Sequence, residues 1–137
     1  MIEHVWSVLC RKVSIDRETN NVSLFDVLEQ VQLYQWSGEF SAIAGPFELA
    51  SLWYRSDIPS RAEARVTLRG PSNRLLTDLT QEIDLREFRR VRARYVIANI
   101  PIEGPGTYRF VVECKQQNAE VWSEVASLPL EVVVAPR

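Results

Sequence analysis

A chain of 137 residues suits one domain spanning 1–137, and 46% apolar with 25% charged side chains is globular composition, outside the polar, highly charged regime of disorder. Against 18 acidic side chains stand 16 basic ones, a formal net charge of −2, so no overall field draws the chain to phosphate backbones or acidic membranes. Nothing approaches the roughly eighteen consecutive apolar residues that would span a bilayer, and no membrane association is expected.

The opening "MIEHVWSVLC" places Glu3 and His4 before a short apolar run broken by Ser7. A secretory signal would need its positive charge first and its apolar stretch unbroken, so this segment reads as a mature strand, with Trp6, Val8 and Cys10 as its inward row. "DRETNN" follows as a polar turn in which Asn20 and Asn21 can take the left-handed region. "SLFDVLEQVQLY" carries two spacings: Leu24, Val27, Leu28 and Val31 repeat as a helix would, and Phe25, Val27, Val31 and Leu33 as a strand would. Strand is the reading chosen for residues 23–34, because an Asn-rich turn would make the first pair a hairpin.

"YQWSGEFSAIAGPF" is unusually apolar for a connection that contains Gly38, Gly45 and Pro46. Aromatics in such a crossing segment cap the open end of a sheet pair, and if exposed, Tyr34, Trp36, Phe40 and Phe47 would form a contact patch. Further on, "AEARVTLRG" sends Ala64, Val66 and Leu68 to one face, and Glu63, Arg65, Thr67 and Arg69 to the other. A turn at Gly70 to Asn73 comes next. "LLTDLTQEIDL" and "RVRARYVIANI" alternate in the same way and are expected to pair as a hairpin, with Asp84 opposite Arg90, Glu82 opposite Arg92 and Thr80 opposite Arg94. In "GPGTYRFVVEC" the Gly-Pro-Gly turn launches a strand whose inward row is Tyr108, Phe110, Val112 and Cys114. The last segment contains Pro129, which cannot donate to a ladder and suggests an edge position or a strand that changes sheets.

About eight short strands separated by turns predict an all-β fold, a sandwich of two packed antiparallel sheets. "IDRETNNVSLFDVLEQV", "GPGTYRFVVE" and the closing "LPLEVVV" resemble a family of uncharacterised bacterial proteins with immunoglobulin-like sandwich domains. The resemblance implies the fold and assigns no chemistry. Tyr108, just after its turn, also resembles the tyrosine corner of such sandwiches, whose hydroxyl ties back to nearby backbone.

Candidate chemistry is sparse. His4 is the only histidine, and it reads as an exposed or half-buried side chain near a terminus. Cys10 and Cys114 share no metal-ligand spacing and sit in apolar alternation, which suits two free buried thiols in a reducing cytoplasm. Nucleophile elbow, zinc signature and phosphate loop are all missing, so no enzymatic activity and no cofactor are expected. Asp16, Glu18 and Asp57 are too few, and too close to arginine, for a calcium site. Arg90, Arg92 and Arg94 could line successive phosphates, but the expected acidic neighbours would neutralise them, and nucleic acid is not expected. Two functions fit this inventory: a protein-interaction module acting through a sheet edge or the 34–47 segment, and a small-ligand or glycan-binding sandwich stacking its ligand on Trp36, Trp53 or Trp122. The first is preferred, since no secretion signal places the chain among extracellular sugars, and homo-oligomers remain open to it.

Overall fold

In the computed structural model, which describes residues 1–33 and 41–134, the alternating segments become strands. They are β1 (Ile2–Ile15), β2 (Val22–Val27), β3 (Gln30–Leu33), β4 (Ser41–Arg55), β5 (Ser60–Arg69), β6 (Leu75–Leu85), β7 (Arg90–Ile102), β8 (Gly106–Gln116) and β9 (Ser123–Val134). One sheet has the order β2-β1-β4-β7 and the other β3-β9-β8-β5-β6, a two-sheet sandwich with nine strands among the described residues. Every pairing is antiparallel except β3 with β9.

The core between the sheets follows from strand parity. Ala62, Ala64, Val66 and Leu68 of β5 meet Tyr108, Phe110, Val112 and Cys114 of β8, as the alternation predicts. Leu49, Trp53, Tyr95, Ile97 and Ile100 supply the opposing wall. The Gly-Pro-Gly turn is the predicted strand entry: Gly104 and Gly106 take φ of 130° and 140°, and a side chain on Gly106 would lie 2.7 Å from the Pro71 ring. The fully buried Tyr108 hydroxyl donates to the Gly104 carbonyl at 2.6 Å and accepts from the Glu103 amide at 2.8 Å, which is the tyrosine corner.

Within the span read as one strand, 23–34, the described residues 23–33 hold two strands rather than a helix, β2 and β3, in different sheets, and residue 34 lies outside the described residues. Asp26, at φ 55°, breaks the run, and Leu24 joins one apolar cluster while Leu28, Val31 and Leu33 pack on the main core. Pro129 sits opposite Arg109 in the part of β9 that β3 does not reach, because β3 pairs only Glu131 to Val134. That stretch is locally an edge and needs no donor from Pro129.

Two expectations are corrected. The β6–β7 hairpin does not exist: β6 pairs with β5 and β7 with β4, so the chain crosses between sheets at residues 86–89. Four residues of extended chain span about 13 Å, enough to cross the roughly 10 Å between packed sheets, and the crossing lets Ile83 and Leu85 close one sheet while Ala93 and Tyr95 close the other. Secondly, Trp6, Val8 and Cys10 do not face the main core. A register shift between His4 and Trp6 turns Ser7 and Leu9 inward beside Ser51 and Leu49. The other row joins a second small cluster of Cys10, Val13 and Ala50, with Trp6, Val8, Val22 and Leu24 half-buried around it. The tip of the β1–β2 hairpin arches over this outer face, since the Asn20 carbonyl accepts from Arg92 on β7, at the far edge of the same sheet.

Candidate interaction surface

Of the four residues expected to form a contact patch, Tyr34, Trp36 and Phe40 lie outside the described residues. Phe47 is corrected: it is fully buried in β4, part of the main core, with the Arg11 guanidinium 4.9 Å above its ring. Gly45 makes this possible, because any side chain there would come within 2.6 Å of the Ala98 carbonyl and 2.7 Å of that of Ile97. The glycine lets β4 and β7 approach where their register shifts, between Ala44 and Phe47, and the chain re-enters the ladder with Phe47 directed inward.

Of the tryptophans expected to stack a ligand, Trp36 lies outside the described residues, and Trp53 and Trp122 offer no flat row. Trp53 is fully buried, edge-on to His4 with ring centres 5.0 Å apart. Trp122 is half-buried, and the Arg65 guanidinium lies 4.3 Å from its ring centre and the Lys115 ammonium 5.2 Å away. A sugar would have to displace both cations to stack there.

The arginines of β7 find other partners than the expected acids. Arg94 donates to the buried Glu48 carboxylate, whose second oxygen accepts from the Val13 amide at 2.7 Å. Arg92 donates to the Asn20 carbonyl and Arg90 to the Tyr54 hydroxyl at 3.4 Å. Asp84 instead binds its neighbour Arg86 at 2.7 Å, and this hydrogen bond holds its carboxyl down at about 2.

His4 sits half-buried at the end of a hydroxyl chain that sequence reasoning missed. Its Nε2 is 2.6 Å from Ser7 Oγ, which is 2.7 Å from Ser51 Oγ, and burial lowers the imidazole pKa. Only a serine in an apolar row at each position hinted at the link. Cys10 and Cys114 are free and buried, and burial pushes both thiols up, away from nucleophilic character. No group of three or more His, Cys, Asp or Glu side chains among the described residues could hold a metal ion. Asp16 accepts from the Glu18 and Thr19 amides and shapes its own turn. No helix among the described residues is long and apolar enough to cross a membrane.

One end of the sandwich stands out. The strand registers bring together the β4–β5, β6–β7 and β8–β9 connections and the start of β1. Arg55 stitches two of these connections: its side chain donates to the carbonyls of Phe88, Ser56 and Asp57 at 3.0 to 3.1 Å. Its own amide bonds the Arg89 carbonyl, and Arg89 pairs with Asp57 at 3.2 Å. The Ser56 amide bonds the Met1 carbonyl. On this tied backbone ride Ile58, Met1 and Phe88, and on the neighbouring β8–β9 connection Val121; exposed by 71, 70, 66 and 73%, they are the four most exposed large apolar side chains among the described residues. Asp57, Arg86, Glu87 and Arg89, on the same connections as Ile58 and Phe88, are exposed as well. Beside them Met1, Ile2, His4, Cys114, Val121 and Val125 line a groove of about 640 Å³. Ile58 is a lone apolar residue in a polar connection and Val121 stands beside Trp122 between two strands, so no periodicity marks either; Phe88 lies among the arginines at 86, 89 and 90. No family model matches the chain, and no curated protein matches it either.

Proposed function

We propose that this protein is a non-catalytic interaction module that binds a protein partner through the end of the sandwich carrying Ile58, Phe88 and Val121. The observation that carries the reading is the gathering of the most exposed large apolar side chains at one end of the sandwich, with Ile58 and Phe88 on connections tied by one arginine, Arg55, among exposed charged residues. Solitary exposed apolar residues are ordinary, whereas several at one end with a polar surround are the anatomy of a contact site. Loops held by a rigid sandwich also bind with little ordering cost. The buried thiols and the half-buried single histidine support a role without catalysis, and two unpaired cysteines accord with a reducing, cytoplasmic compartment. Membership of the bacterial sandwich family that its turn motifs resemble is part of the same reading. A glycan-binding role draws no support from Trp53, which is buried, or from Trp122, which is beset by cations.

The test compares partners retained from native-host extract by the wild-type protein and by Ile58→Asp/Phe88→Asp. Both substituted side chains are exposed, so the thermal midpoint should stay put. Loss of one discrete protein from the variant is expected. An unchanged set, or selective binding on a glycan array that the double variant keeps, overturns the proposal.

A further inference from the structure

Among the described residues the long free edges are β6 and β7. β6 is the last strand of one sheet and β7 of the other, each pairing on one side only over 11 and 13 residues. Both edges lie on the same side of the sandwich, where Val66, Leu68, Leu79, Ile97 and Phe110 line an apolar slot of about 230 Å³ between the sheets. Unprotected edges of this length invite strand addition unless side chains prevent it.

The charges on these edges are unlike. Parity places Asp78, Thr80, Glu82 and Asp84 in one outward column of β6, and Arg90, Arg92 and Arg94 in the outward column of β7. Asp78 has no ion-pair partner among the described residues, and Glu82 shares only a 3.5 Å exposed contact with Arg61. Among the described residues Arg90 and Arg92 hold neutral oxygens alone. Such columns repel β6 from a second β6 and β7 from a second β7, but they attract β6 to β7.

We propose that the protein forms a twofold dimer in which the β6 edge of each copy pairs with the β7 edge of the other. A half-turn about an axis that runs alongside this side of the sandwich, parallel to its strands, exchanges the two sheets. It sets β6 of one copy beside β7 of its partner twice, with outer faces continuous and the acidic column along the arginine column. Both edges are satisfied in one closed contact that cannot propagate into a fibre, and the apolar slot and the exposed Val96 beside it are covered.

Sedimentation velocity on the full chain, with circular dichroism as a folding control, tests this with two charge-reversed proteins. Asp78→Arg/Glu82→Arg makes both edges basic, and Arg90→Glu/Arg92→Glu makes both acidic. The wild type should be dimeric, and each reversed protein alone should dissociate, its dissociation constant raised about tenfold or more. An equimolar mixture of the two should recover a dimer, because both of its contacts are again between opposite charges. If Arg92→Glu disturbs the hairpin tip, Arg90→Glu alone replaces the second protein. A monomeric wild type at high micromolar concentration overturns the proposal. So do reversed proteins that remain dimers, or folded reversed proteins that fail to rescue one another.

Discussion

Removing the Tyr108 side chain should unfold this protein far more readily than removing its hydroxyl. The ring is fully buried between the sheets, and the hydroxyl holds both the Glu103 amide and the Gly104 carbonyl. Tyr108→Phe keeps the packing and leaves those two backbone groups without a partner, at a cost of about 1 to 3 kcal/mol. Tyr108→Ala also opens a cavity the size of a ring, and buried aromatic truncations cost about 3 to 5 kcal/mol before the lost hydrogen bonds are counted. Against a domain stability of about 5 to 15 kcal/mol, the phenylalanine variant stays folded and the alanine variant sits near its limit. Urea midpoints read at constant slope would show a modest drop for Phe and a drop at least twice as large for Ala. Equal midpoints for wild type and Phe would deny the corner its hydrogen bonds. Near-normal stability in Ala would deny that β8 enters the core at Tyr108.

Because burial lowers the His4 pKa from 6.5, the unfolded chain binds this proton more readily than the folded one. Stability from this site should therefore be whole above pH 6.5 and fall as pH drops through the folded pKa; urea midpoints for wild type and His4→Gln between pH 7 and 5 (the range flanking an unperturbed histidine, about 6.5) should converge. Asp84, held by Arg86, should titrate near 2 by carbon-detected nuclear magnetic resonance, and Arg86→Ala should return it toward 3.8. Both thiols should resist a thiol reagent in the native state and react in denaturant without reductant; a disulfide would contradict the free, buried state of Cys10 and Cys114. Gly45→Ala should cost at least about 1 to 3 kcal/mol in a denaturant melt, since the added methyl meets the carbonyls of Ala98 and Ile97.

The inner rows of β5 and β8 were legible because each alternates apolar with polar or charged residues, Val111 excepted, so parity names the buried face. Pairing was less legible. A four-residue connection such as 86–89 serves a hairpin or a crossing equally well, and only the burial needs of Leu85 and Tyr95 in separate sheets decide between them. The shift between His4 and Trp6 is invisible in the residue pattern, yet it moves Cys10 from the main core to the second cluster. Phe47 was mistaken for a surface residue because Gly45 and Pro46 read as loop punctuation, whereas Gly45 sits within a strand to admit a neighbouring backbone. The loop end was least legible, since Ile58 and Val121 lie far apart in sequence and only the strand registers bring their connections to one end.

Site-directed photocrosslinking in native-host cells tests the interaction surface most directly. A photoreactive phenylalanine analogue would be placed at Ile58, at Phe88, or at the outward-facing Arg109 of β8, on the outer face of the five-stranded sheet. Positions 58 and 88 are predicted to yield the same discrete protein adduct, and position 109 none. An adduct from position 109 with nothing from positions 58 and 88 would contradict the assignment of the sandwich end as the contact surface.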